Sequence, residues 1–492
     1  MATTTPFFLV TLLFSFSFLT SVTFSRTTPT TTTSPLDVTS ALVRVTQILD
    51  ILNGHSDFQP FAQETIQQSS LDSSSFSFSF PLHSREFLNK TQHKDYKSLL
   101  QARLDRDLTR VNSLVTKLQR ALKKGEVKSA DNQVLTQGGK LSAPLVSGES
   151  QGSGEYFTRI GIGSPAEQFY MVIDTGSDVN WIQCEPCVDC YDQSDPIFDP
   201  SSSSSYESVS CESRQCDQLE VSACSRDRCL YEVTYGDGSF TVGTLMTETL
   251  SFGKSGYVEK VAMGCGHDNE GLFTAAAGLL GLGGGSLSLP EQLKATSFSY
   301  CLVDRDSNKS GTLELNSPVP SDSVTTTLSK SSKTNTFYYI GLTGFAVGGH
   351  PVQIAESTFE LDKSGNGGII VDCGTAVSRL EIEAYYALRD AFRSQTSNLK
   401  STRPYALFDT CYDLSGLSTV KVPTVSFIFS GGKYFDLPAE NYLIPVDSDG
   451  TFCFAFAPTN SSPQIIGNVQ QQGTRVTFDL SNERVGFASY KC

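Results

Sequence analysis

From Leu141 onward the apolar residues come in short runs, FYMVID at 169–174, YEVTY at 231–235, FYYIGL at 337–342, GIIVD at 368–372, VSFIFS at 425–430 and FCFAFA at 452–457. Clusters of Gly, Pro, Asp and Ser separate them, so the pattern predicts many short strands and a mostly β class. The clearest helical exception is IEAYYALRDAFRSQ at 382–395. Two other textures lie upstream. Residues 26 to about 92 are rich in Ser, Thr, Gln and Phe with no sustained period, and are expected to be poorly ordered. Residues 93–124 then place Leu100, Leu104, Leu108, Val111, Val115, Leu118 and Leu122 three and four apart, which predicts one amphipathic helix.

The first apolar run, PFFLVTLLFSFSFLTSVTFS at 6–25, ends in small residues and predicts a signal peptide over 1–25 and routing through the secretory pathway, from the endoplasmic reticulum to the cell exterior or vacuole. No later segment has the roughly 18 apolar residues a membrane span needs. All 13 cysteines fall between Cys184 and Cys492, and in an oxidising compartment disulfides are the expected use, with one thiol left over. Asn89, Asn308 and Asn460 head Asn-x-Ser/Thr glycosylation sites.

Charge divides the chain. Residues 1–140 carry 15 Lys or Arg and 11 Asp or Glu; the remainder carries 22 and 41, a net of −19. The predicted helix alone has nine Lys or Arg against three Asp. A solvated helix or short coiled coil accounts for this, and so does a pro-segment over 26–140 docked on an acidic cleft and acting as intramolecular inhibitor.

A three-part pattern occurs twice. MVIDTGS contains Asp174-Thr175-Gly176-Ser177, and IIVDCGT contains Asp372-Cys373-Gly374-Thr375, 198 positions on. An apolar pair and Gly follow each, Leu279-Leu280-Gly281 and Ile465-Ile466-Gly467, 107 and 95 residues after the Asp. One Asp-Thr-Gly is a weak signal, but the pairing indicates an internal duplication. Carboxylates in two such turns, brought face to face, would share one proton. The ionised member can take a proton from water while the other polarises an amide carbonyl, and such a pair works in acid.

With these residues in view, the chain resembles the pepsin-like aspartic proteases over about residues 150–492. YFTRIGIGSPAEQFYMVIDTGSDVNWIQC is similar to that family's first hairpin and active-site loop, and YGDGSFTVG to its flap. A cysteine-rich insertion at 184–229 is similar to the nepenthesin-type plant group, and GCGHDNEGLF and IIGNVQQQGTR to its guard-cell type. The resemblance implies a bilobal fold of two similar β lobes, 151–335 and 336–492, with the active site between them. It also implies a monomeric endopeptidase that acts on polypeptides, uses no cofactor or metal and has no nucleic-acid partner. Asp174 and Asp372 would be the catalytic dyad, supported by Gly176 and Gly374. Ser177 and Thr375 would donate to its outer oxygens. Tyr235, with Gly236 and Asp237, would form the flap, hydrogen-bonded by Trp181. Thr175 would make a hydroxyl-to-backbone bond across the dyad base, opposite a position where the family has Thr or Ser and this chain has Cys373, a weaker donor.

The same resemblance implies disulfides Cys184–Cys187, Cys190–Cys265, Cys211–Cys229, Cys216–Cys224, Cys301–Cys492 and Cys411–Cys453, leaving Cys373 free as a tolerated isostere or a redox switch. A metal site at Cys184-x-x-Cys187-x-x-Cys190, a hydrolase motif at 148–152 and a dinucleotide loop at 161–166 are weaker readings, since these stretches lack metal-ligating histidines, a strand-to-helix turn or a following helix. The competing function is a catalytically silent binding protein or inhibitor of the same fold, like the plant xylanase inhibitors.

Overall fold

The computed structural model describes residues 31–54, 77–88, 92–126, 156–235, 239–271, 273, 275–307, 309–490 and 492. The expected signal, and Asn89, Gly236, Asp237 and Asn308, lie outside these residues; Asn460 is exposed.

The leader is built into the rest of the molecule. Strand β1 (Thr33–Asp37) pairs antiparallel with Thr419–Pro423 and passes directly into helix α1 (Val38–Leu52), where Asp37 caps the first turn by accepting from the Ser40 N–H at 2.8 Å. Val38, Ala41, Val45, Ile48 and Leu52 recur at helical spacing and are buried. Strand β2 (Phe78–Ser84) alternates buried Phe78, Phe80 and Leu82 with exposed Ser79 and Pro81, and pairs along Gly311–Leu315. The expectation of poor order over 26–92 is therefore corrected for 33–52 and 78–87. These pieces are too short to fold alone, but each borrows a strand edge and an apolar surface from the body.

Helix α2 (Tyr96–Glu126) matches the helix expected at 93–124, but its roll does not. Leu108, expected on the apolar stripe, is 56% exposed, while the charged Arg103, Arg106, Asp107 and Arg110 are buried. Buried partners cause this. Arg103 bonds Glu86 at 3.0 Å and Asp306 at 2.7 Å, Arg106 bonds Glu86 at 2.9 Å, and Asp107 accepts from the backbone N–H groups of Ala376 and Val377 and from Arg379. Val111, Leu114 and Leu118 pack with Phe337, Tyr339, Ile370 and Ile465.

The body repeats one arrangement. Strand β3 (Tyr156–Ile162) forms a hairpin with β4 (Glu167–Asp174), and β4 runs parallel to Gly278–Gly281 with Asp174 level with Gly281. Strand β5 (Trp181–Gln183) lies antiparallel on the other side of 278–281. In the second half Ile369–Val371 runs parallel to Gln464–Ile466, and Ser378–Glu381 is antiparallel to it. Each apolar-apolar-Gly segment thus stands beside the strand that ends in Asp. The halves are stitched where Thr474–Asp479 pairs with Ser297–Cys301, and Arg484–Ser489 with Val324–Ser329. The expected helix at 382–395 is Ile382–Gln395.

Two disulfides join as expected, Cys301–Cys492 and Cys411–Cys453, and Cys373 is free and buried. The other four pairings are corrected. Cys184 joins Cys265 because β5 lies parallel to Tyr257–Glu270 and the Cys184 N–H donates to Gly266 O at 2.8 Å; Cys187 and Cys190 then close their own turn. In the insertion, burial sorts the partners. The buried Cys216 and Cys229 join inside an apolar cluster with Leu219 and Tyr231, and the half-buried Cys211 and exposed Cys224 join at its rim.

Candidate active site

Each carboxylate sits at the end of a buried strand, on a turn whose Gly brings a backbone N–H to it. The Gly176 N–H donates to Asp174 Oδ1 at 2.9 Å and the Gly374 N–H to Asp372 Oδ1 at 3.3 Å. Asp174 and Asp372 are 2% and 1% exposed, a burial that two carboxylates tolerate only with strong partners.

That partner is one residue of the leader. The Arg110 guanidinium spans both groups: Nη1 donates to Asp174 Oδ2 at 2.9 Å, Nε to Asp372 Oδ2 at 3.2 Å, and Nη2 to Asp372 Oδ1 at 3.1 Å and to Asp174 Oδ1. A planar fork on two acceptor pairs is the geometry that Arg favours and Lys does not have. The glycines leave room for it. A Cβ at Gly176 would fall 2.2 Å from Arg110 Nη2, and one at Gly374 3.1 Å from its Cζ. Lys117, two turns along, donates to Gly176 O at 3.3 Å.

The supporting shell is asymmetric. The Thr375 hydroxyl donates to Asp372 Oδ2 at 2.6 Å, as the family resemblance implies. Its counterpart does not: among the described residues Ser177 Oγ is buried without a hydrogen-bond partner. Thr175 Oγ1 accepts from the Cys373 N–H at 3.0 Å and lies 3.0 Å from Asp372 Oδ1, so half of the brace beneath the pair is present. The Cys373 sulfur is 3.5 Å from the same hydroxyl, and no backbone N–H among the described residues reaches it.

Electrostatics follow from these contacts. Burial alone raises the Asp372 carboxyl, but Arg110 and the Thr375 and Thr175 hydroxyls outweigh it and hold the group below the usual carboxylate range. Burial, reinforced by the neighbouring Asp372 charge, pushes the Cys373 thiol up to about 12. That leaves no thiolate for a redox switch at neutral pH. Over the pair, Trp181 Nε1 donates to the Tyr235 hydroxyl at 2.9 Å and Phe273 packs edge-on against both rings. Burial raises the Tyr235 hydroxyl well above its ordinary value, so it stays protonated.

The pattern in the sequence brings together Asp174, Asp372, Thr175, Thr375, Gly176, Gly374, Cys373, Tyr235 and Trp181. It does not single out Arg110, one of eight basic residues on α2. The remaining signal is its spacing from Arg103 and Arg106, one residue per turn on a face that also carries Leu114.

Comparison with known proteins agrees with this geometry. Residues 156–315 match a family model described as xylanase inhibitor N-terminal, and 337–489 one described as xylanase inhibitor C-terminal. The chain is 46% identical over 425 residues to Protein ASPARTIC PROTEASE IN GUARD CELL 2 of Arabidopsis thaliana, covering 86% of this chain and 89% of that one. It is 50% identical over 410 residues to Aspartyl protease family protein 2 of the same plant, covering 82% and 83%, and 40% identical over 382 residues to Aspartic proteinase nepenthesin-2 of Nepenthes gracilis, covering 76% and 86%. Among solved structures, conglutin gamma from lupine seeds shares the fold with TM-score 0.55 at 22% identity, covering 69% of this chain and 93% of that one. The chain belongs to the pepsin-like aspartic proteases of plants, in the group that includes nepenthesin.

Proposed function

We propose that the chain is an aspartic endopeptidase made as a secreted zymogen, with Asp174 and Asp372 as its dyad and residues 31–126 as its inhibitor. The observation that carries the reading is the single guanidinium of Arg110, shared by two buried carboxylates that come from equivalent strand ends of a duplicated body. Where α2 lies, no peptide can reach them.

With α2 gone, two adjacent carboxylates lose their cation, and like charges at that spacing hold one proton in common. The ionised member removes a proton from a water between them as its oxygen attacks the amide carbonyl. The protonated member passes its proton to the carbonyl oxygen, giving a neutral tetrahedral adduct. Collapse returns a proton to the leaving nitrogen, and the pair again holds one. Acid pH keeps that single proton in place. Six disulfides and the exposed Asn460 of Asn460-Ser461-Ser462 support synthesis in an oxidising secretory compartment.

The second reading, a silent binding protein, draws on the xylanase-inhibitor description of the matching family models. One assay separates the two: after removal of the leader, pepstatin-sensitive cleavage of denatured haemoglobin or casein at about pH 4, with Asp174→Asn as control. Cleavage lost in the variant supports the protease; no cleavage by the processed protein at any acid pH gives the binding protein.

A further inference from the structure

We propose that Gln471 is a positioning residue that clamps the Asp372 peptide from behind, supplying from a side chain the bond that the backbone supplies to Asp174; this rests on the reading of Asp372 as a catalytic carboxylate. The two halves of the duplication hold their Asp differently. In the first half the Asp174 carbonyl accepts from the backbone N–H of Leu282 at 2.7 Å, just past Gly281. In the second half the corresponding donors are committed elsewhere. The Gly467 N–H goes to Ser378 Oγ at 3.0 Å and the Asn468 N–H to Thr375 O at 2.7 Å. A side chain makes the missing bond: Gln471 Nε2 donates to Asp372 O at 3.2 Å and to Ile466 O at 2.8 Å.

The same Ile466 oxygen accepts the Asp372 N–H at 3.1 Å, so both ends of the Asp372 residue are held against one corner. Gln471 is itself fixed. It is 1% exposed, and its Oε1 accepts from the fully buried Tyr300 hydroxyl at 2.5 Å, which sets the amide so that both N–H hydrogens are used on the two carbonyls. A buried amide with every atom satisfied is rigid, and costly to disturb. It holds the same turn whose Cys373 N–H donates to the Thr175 hydroxyl, so side chains fix the Asp372 turn at both points.

The test uses the processed enzyme and the variants Gln471→Leu, Tyr300→Phe, Cys373→Thr and Gln471→Leu/Cys373→Thr. The quantities are kcat per pepstatin-titrated site, KM, and the alkylation rate of Cys373, the one free thiol. Gln471→Leu is expected to lower kcat about tenfold to a hundredfold with KM within about twofold, and Tyr300→Phe by less. In the Cys373→Thr background, where a hydroxyl would brace the Thr175 N–H on the Asp174 side, the Gln471→Leu loss should persist within about threefold. Alkylation should accelerate at least about tenfold in Gln471→Leu. A mere stability role would lower the number of titratable sites and leave kcat per site unchanged, and that result overturns the proposal. If the wild-type processed protein cleaves nothing, the protease reading falls instead. The alkylation rate then decides the clamp alone, and an unchanged rate refutes it.

Discussion

Replacing Arg110 by Ala in the unprocessed chain tests directly how the cleft is closed. Arg110 is 2% exposed and bonds two carboxylates that are themselves buried, so solvent screening takes little from the interaction. Removing one partner of such an arrangement costs up to about 3–5 kcal/mol when the partner charge is stranded. Here the two carboxylates can relieve one another by sharing a proton, which places the loss nearer about 2–4 kcal/mol. The rest of α2 keeps its hold through Arg103, Asp107 and the packing of Val111, Leu114 and Leu118, so the helix remains the ground state. The fraction of molecules with an open cleft should rise by about 30- to 700-fold, at 1.4 kcal/mol per decade. The assay is the initial cleavage rate of a quenched fluorescent peptide at about pH 5, with gels confirming that the leader is intact. Wild type should be nearly silent and Arg110→Ala readily active, while Leu108→Ala, on the exposed side of α2, should match wild type. If Arg110→Ala is as silent as wild type while the processed enzyme cleaves, Arg110 is not what closes the site.

Asp372 is held below the ordinary carboxylate range in the docked state, and so is Glu86, whose burial is outweighed by Arg103 and Arg106. Such groups stabilise docking above their free value of about 4 and lose that contribution as pH falls through their lowered values. A leader cut at an engineered site between residues 127 and 155 should therefore co-elute with the body on gel filtration at pH 5–7 and separate only below about pH 4; separation at pH 6 would contradict the assignment. Cys373, with its thiol pushed up to about 12, should alkylate at about pH 8 roughly three orders of magnitude more slowly than a free cysteine until the protein is unfolded. Trp181, the only tryptophan, should report flap movement through its fluorescence when the leader leaves, and Trp181→Phe, which leaves the Tyr235 hydroxyl without its donor, should lower stability by about 1–3 kcal/mol in thermal melts.

The duplication is legible in the sequence because each half repeats a strand end, a Gly turn and an apolar-apolar-Gly strand, all local patterns. Helix 382–395 and α2 are legible for the same reason. The roll of α2 is not, since Leu108 loses its place to charged residues whose partners, Glu86, Asp306, Asp174 and Asp372, are distant in sequence. The β2 strand had a signal in its Phe-Ser alternation, FSFSF, hidden by a surrounding Ser-rich composition. Four disulfide pairings were out of reach for another reason: spacing does not say that β5 lies beside Tyr257–Glu270, nor which cysteines of the insertion face the apolar cluster. The role of Gln471 likewise depends on which backbone N–H groups are already committed, a matter of register rather than of motif.

Strand β2 occupies the edge of the sheet at Gly311–Leu315, and β1 the edge at Thr419–Pro423. A cut anywhere after residue 126 would leave the leader attached at both places, so severing the chain and freeing the body are separate events, the second requiring two zippers to open. Once they have, two rows of amide groups face solvent, ready to recruit any extended segment that fits. A body that refilled those rows from its own new terminus would have no vacancy for the leader to re-enter, making activation a one-way passage enforced by sheet edges.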